Sequence, residues 1–136
     1  MEHRLGELVA WCRDETRHGR PLIEDPGIRE RLADLAVMTE VGRVLSYEGL
    51  SNFLNATPPR FGGALGTVVS KEMRPRFGQT ITEIVGPLSQ VRGESPVAPL
   101  GGMPAEWFLR GVNNHAGGTP QVKRMVMATR GLGLPR

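Results

Sequence analysis

The sequence predicts an all-α fold: an antiparallel four-helix bundle with a short extra helix at its C-terminal end. Three observations carry that expectation. Apolar residues recur at spacings of three and four along most of the chain, alternation with period two is absent, and Gly- and Pro-rich breaks separate the helical runs. Strand content is expected to be near zero, and no internal repeat is visible. At 136 residues, 39% hydrophobic and 23% charged, the composition is that of an ordinary globular unit able to bury a core, so residues 1–136 are expected to form one domain.

Leu5, Leu8, Val9 and Cys12 fall on one helical stripe, which predicts an amphipathic helix over residues 3–18, ended by His18-Gly19-Arg20-Pro21. Cys12, the one cysteine, cannot form an intrachain disulfide and is expected as a buried thiol on that stripe. A second helix starts after Asp25 with Pro26 at its first position and runs to about Ala56. Ile28, Leu32, Leu35, Met38, Val41 and Leu45 are its expected buried stripe. At 1.5 Å per residue such a rod is about 45 Å long, too long for one short neighbour to cover, and therefore implies a bundle.

Thr57-Pro58-Pro59-Arg60 breaks the chain, and Gly62, Gly63 and Gly66 loosen the entry to a third helix. Phe77, Ile81, Ile84, Val85 and Leu88 give that helix a clean period, Pro75 predicts a kink or break near Met73, and Gly86-Pro87 ends it. Gln90 to Pro104 is rich in Gly, Pro and Ser and predicts a long surface loop. A fourth helix starts at Pro104 with Trp107, Phe108 and Val112.

The formal charge of +3 and pI of about 9.7 permit an acidic partner without requiring one. Basic residues are scattered among acids, and the two densest stretches, Arg13–Arg20 and Lys123–Arg136, fit solvated helix surface and a helix C-terminus, so no nucleic-acid partner is expected. No uninterrupted apolar run approaches the roughly 20 residues of a membrane span, and the residues after Met1 lack the plan of a signal peptide. The expected location is cytoplasmic.

The most specific stretch is Ala116–Arg136, AGGTPQVKRMVMATRGLGLPR. Gly117 and Gly118 can take positive φ and let a ligand approach the backbone. Thr119 is a good N-cap, Pro120 suits the first helical position, and Val122, Met125, Val126 and Thr129 follow at helical spacing. The free N–H groups at the start of such a helix suit a pyrophosphate or the oxygen-rich edge of a flavin, although a glycine loop before a capped helix is also common without any ligand.

The complete run resembles the C-terminal signature of the acyl-CoA dehydrogenases, which typically reads A-G-G-T-x-x-I-x-R, a short helix, then R-x-L-G-L-P-R. Trp11 to Leu35 also aligns without a gap on a family stretch, with Gly19, Pro21, Leu22 and Arg31-Leu32-Ala33-Asp34-Leu35 in register. The resemblance implies the C-terminal helical, FAD-associated domain of such an enzyme, about the last third of a typical member, with the N-terminal helical and middle β-barrel domains outside this chain. It implies FAD as cofactor, contacted by Gly117, Gly118, Thr119 and Gln121. It also implies an acyl-CoA substrate handled by the whole enzyme and a homo- or hetero-oligomer, dimer or tetramer.

Departures from the family pattern fall at its functional positions. Glu15 stands where the family has an arginine that reaches the FAD pyrophosphate of a neighbouring subunit, His18 where it has the phenylalanine of an F-G pair, and Pro26 where it has a glutamine. Glu83 to Ser89 replaces the Q-x-x-G-G-x-G turn that touches the adenosine half, keeping Gly86. A carboxylate near phosphate repels where a guanidinium binds. Gly117 occupies one of the family's positions for the catalytic glutamate, and the other lies upstream of the matched Trp11 by more residues than this chain has. No catalytic residue is therefore assigned. His115, beside Asn113 and Asn114, is the substitute base to consider, with a hydrogen-bonded loop histidine as its plainer role. The resulting expectation is a domain inactive by itself, or else a non-catalytic subunit that completes a hetero-oligomer.

Overall fold

The computed structural model describes residues 1–57, 61, 63–93, 95–112 and 116–135. Five α-helices dominate it: α1 (Glu2–Asp14), α2 (Pro26–Leu54), α3 (Ala64–Val85), α4 (Met103–Val112) and α5 (Pro120–Val126). The first four form the bundle and α5 is the extra helix. The core is one cluster in which Leu8 and Cys12 of α1, Ile28, Leu32 and Leu35 of α2, and Phe77, Ile81 and Ile84 of α3 meet Leu22 and Met103. Phe77 lies 5.0 Å from the Trp107 ring, tilted by 52°, which locks α3 to α4.

Differences from the sequence expectation each have a local cause. The first helix stops at Asp14 instead of continuing to residue 18, because Thr16–Arg17 and Arg20–Pro21 pair as a two-residue antiparallel hairpin, β1 and β2, around a His18-Gly19 turn. His18 and Gly19 both take positive φ there, as a tight hairpin turn requires, so a small amount of strand is present. The start of α2 is as expected: Pro26 occupies the first turn, and the Asp25 carboxylate accepts hydrogen bonds from the N–H groups of Gly27 at 2.8 Å and Ile28 at 3.2 Å.

The α2 stripe is buried only at Ile28, Leu32 and Leu35. Met38 and Leu45 are half-buried and Val41 is exposed, since α1 is less than half the length of α2 and leaves its second half uncovered. Pro75 does not break α3. The helix runs unbroken from Ala64 to Val85, held by close packing of Pro75 against Gly111 of α4. Leu88 is exposed, because Gly86 ends α3 and the chain turns into a 3-10 segment over Gly86–Gln90. The stretch expected as loop begins at the last residue of that segment and holds a second 3-10 turn at Pro99–Gly102, so α4 starts at Met103.

Beyond Val126 the helix widens into a π-turn over Met127–Gly131. Val122 and Met125 remain exposed. Of the break read at residues 57–60 and 62, only Thr57 is among the described residues.

Candidate functional site

The turn that leads into α5 is built as its glycines demand. Gly117 and Gly118 have φ of 77° and 92°, a region that side chains with a Cβ rarely enter. A Cβ on Gly117 would meet nothing within 4 Å, so this backbone faces open space, whereas one on Gly118 would come within 3.3 Å of Lys123 Cε. Thr119 then caps α5: its hydroxyl oxygen accepts from the Val122 N–H at 3.4 Å, a long bond, and its carbonyl accepts from the Lys123 N–H at 3.1 Å. Gln121 is exposed on the first turn.

This corner is anchored to α3. Lys71 is buried, 8% exposed, and its ammonium donates to the Ala116 carbonyl at 2.7 Å, immediately before the glycine pair. A cation with so little solvent must be compensated, and a carbonyl dipole supplies part of that compensation. The next residue, Glu72, pairs with Arg124 of α5. A cavity of about 430 Å³ lies between the two helices, lined by Lys71, Glu72, Pro75, Arg76, Gln121 and Arg124 among others. Three cations against one carboxylate make it electropositive and hospitable to anionic or oxygen-rich partners.

Nothing in the local sequence pattern pointed to Lys71, Arg76 or Glu72. They reach the turn because α3 and α5 are neighbours in space across about 45 residues of chain. Of the residues read from sequence, Gly117, Gly118, Thr119 and Gln121 share this corner. His115, Asn113 and Asn114 lie outside the described residues.

The positions read as lost phosphate and adenosine contacts sit elsewhere. Glu15 and Arg17 border a cleft of about 440 Å³ whose other walls include Trp11, Leu22, Val85 and Leu88. Arg17 is the one cation of that lining, and its guanidinium donates to the Ile84 carbonyl at 2.9 Å, tying the hairpin to the end of α3. Glu83 accepts from Arg31 at 2.7 Å and from Gln79 at 2.9 Å, and Pro26 is engaged as the first residue of α2.

A flavin edge therefore fits one part of this chain and a pyrophosphate does not fit another. The Gly117–Gln121 corner offers open backbone, an exposed amide and a cation-lined cavity. The Glu15 cleft carries a carboxylate, and its one cation, Arg17, is already engaged by the Ile84 carbonyl. Among the described residues there is no cluster of His, Cys, Asp or Glu able to hold a metal ion, and no helix long and apolar enough to cross a membrane.

Comparison with known proteins follows the same lines. No curated protein matches the chain. Among solved structures, the Tcur3481–Tcur3483 steroid ACAD superposes with a TM-score of 0.89 at 29% identity, covering 99% of this chain and 34% of that one. The ChsE4–ChsE5 complex from Mycobacterium tuberculosis gives 0.87 at 25% identity, covering 99% and 35%. The chain thus spans about a third of the length of the structures it matches. The family model described as "Acyl-CoA dehydrogenase, C-terminal domain" matches residues 1–132. The helical bundle, the glycine turn before α5 and this match agree: the chain belongs to the acyl-CoA dehydrogenase family, as a C-terminal domain.

Proposed function

We propose that this chain is the FAD-associated bundle of an acyl-CoA dehydrogenase, that it covers the flavin with the Gly117–Gln121 corner, and that it does not oxidise acyl-CoA by itself. The observation that carries the reading is the corner itself: two successive positive-φ glycines with open space beside Gly117, an exposed Gln121, and a cation-lined cavity next to it. FAD, when bound, supplies the hydride acceptor for α,β-dehydrogenation of the acyl thioester. The chain's own residues do the positioning. Lys71 holds the Ala116 carbonyl and so sets the direction of the turn, while Thr119 and Gln121 present a hydroxyl and an amide to the ring edge. Gly117 brings no carboxylate to receive the α-proton, so the base and the rest of the substrate site belong to other parts of the enzyme. The domains that precede the bundle in the family, a helical one and a β-barrel, would supply them.

A second reading has its own support. The carboxylates at Glu15 and Glu83 and the proline at Pro26 favour a non-catalytic subunit that completes a hetero-oligomer with a competent partner, and one of the similar structures is described as a complex of two named chains. In both readings the bundle contributes to the core of an oligomer. Equilibrium dialysis of the isolated chain against FAD tests the shared expectation of weak or absent binding. Stoichiometric binding at micromolar FAD would show that the altered positions do not matter. Adding candidate partner chains then separates the readings, since only the second expects binding and dye reduction to appear on mixing with a chain that carries a base.

A further inference from the structure

The chain from Ala116 onward is attached to the bundle differently from everything before it. No residue of 116–135 is buried. Val122, Met125, Leu132 and Leu134 are exposed, and Val126 and Met127 are only half-buried. The segment makes backbone hydrogen bonds within itself: the N–H groups of Lys123, Leu132 and Leu134 donate to the carbonyls of Thr119, Met127 and Ala128. Its helix is short, seven residues of α5 followed by a five-residue π-turn. Isolated helices shorter than about 12–15 residues are marginal in water, so α5 is helical because it lies against α3.

What holds the segment in place is polar and sits at its root. The Lys71 ammonium donates to the Ala116 carbonyl, and Glu72 pairs with Arg124. Between those two ties lie Gly117 and Gly118, both at positive φ, with open space beside Gly117. A glycine pair of this kind can absorb a large change in backbone angles, as a hinge must.

We propose that residues 116–135 form an arm that docks and undocks as one unit about Gly117-Gly118, latched to α3 by Lys71 and Glu72, while the four-helix bundle stays folded. Segments with few buried apolar contacts open at a far lower free energy than the core, and here a hinge and a latch mark the boundary of the opening unit. The consequence for the cofactor rests on the reading above: only the docked arm sets Thr119 and Gln121 at the corner, so the docked fraction scales the affinity of that corner for a flavin. The opening itself does not depend on that reading.

The test is residue-resolved amide hydrogen exchange of the 136-residue chain without FAD, at two protein concentrations. Amides of residues 123–131 should share one protection factor, about 100-fold or more below those of Phe77, Ile81 and Ile84. Arg124→Glu, which sets a carboxylate against Glu72, should raise opening about five- to tenfold at low salt, and Glu72→Arg with Arg124→Glu should restore it. Lys71→Ala should raise opening about tenfold relative to the core, through the lost donor and the lost packing of its stem. Gly117→Pro, whose φ is fixed near −65°, cannot form the corner; it should abolish protection in the arm and leave the core within about twofold. A gradient of protection from residue 123 to 131 would mean fraying from the end and overturn the unit. Core protection that falls together with the arm in Gly117→Pro would overturn the independence of the two, and a charge swap that fails to restore docking would overturn Glu72 as latch. Equal protection in arm and core, whether given by the chain itself or by a second copy at high concentration, would overturn the proposal. Because no FAD is present, such a failure leaves the flavin reading standing, and a failure of the flavin reading leaves the arm standing.

Discussion

At Gly78 the backbone of α4 comes so close to α3 that a Cβ would sit 2.8 Å from the Trp107 carbonyl oxygen and 3.0 Å from Phe108 Cα. Both neighbours are backbone, which cannot rotate away. Gly78→Ala should therefore destabilise the chain by about 1–3 kcal/mol, and Gly111→Ala, whose Cβ would meet Pro75 Cα at 2.8 Å, by a similar amount in urea unfolding. Gly117 behaves differently. It has open space beside it, so Gly117→Glu, the change that would place a carboxylate at the family's base position, should cost only about 1 kcal/mol, through the positive φ and not through a clash. No acyl-CoA oxidation should follow in this chain alone, by dye reduction. Cys12 shows a residue read correctly from sequence whose chemistry the fold then alters: burial pushes its thiol up to about 11. The folded chain favours the neutral thiol, so this stabilisation is complete below the unfolded value near 9 and is lost as pH rises through 11. The urea midpoint should fall across that window, less so in Cys12→Ala, and the thiol should resist aromatic disulfide reagents at pH 8 until the chain unfolds.

At the scale of elements, caps and crossings divide the work. The Asp25 cap is short and doubly made, so Asp25→Ala should cost about 1 kcal/mol of stability, measurable as a lower thermal midpoint. The Thr119 cap is a single long bond on a helix of seven residues, and its loss should matter less to stability than to the shape of the turn. α3 is the element on which everything else packs: it contacts α4 most, then α5 and α2. That explains how Pro75 is tolerated inside it. A proline removes one hydrogen bond and crowds the preceding turn, a cost of about 3 kcal/mol in an isolated helix, but α3 stays continuous through the site, where Pro75 packs against Gly111. Truncation of the central ring, Phe77→Ala, should remove about 3–5 kcal/mol, because it empties the contact with Trp107 and the centre of the core together.

At the scale of the molecule, burial is lopsided. The core gathers around α1, the first third of α2 and the second half of α3, while the far half of α2 and the outer side of α5 keep large apolar side chains in water. That imbalance is why association is expected of this chain, and why its isolated stability should depend on protein concentration: a tenfold dilution through the dissociation constant should lower the thermal midpoint. The charged pairs do little to offset it. Arg31–Glu83 and Arg124–Glu72 are both exposed and worth at most about 1 kcal/mol each, so moderate salt should leave the fold intact.

Local patterns in the chain were enough to determine the helices, their order and most of their ends. Periodicity, the Asp25-Pro26 start, the Gly86-Pro87 stop and the Thr119-Pro120 start are all encoded within a few residues, where steric and hydrogen-bonding rules act without help from the rest of the fold. The Gly117–Gln121 corner was legible for the same reason, since a pair of glycines before a capped proline has few other conformations to serve. Tertiary structure alone decided the rest. It set where α1 stops, because the hairpin at residues 16–21 competes with one more helical turn. It set which part of the α2 stripe is buried, because that depends on the length of its neighbours, and it carried α3 through Pro75. It also brought Lys71, Glu72 and Arg76 to the turn before α5. Those contacts join residues some 45 positions apart, and no pattern within one helix records which other helix it will lie against.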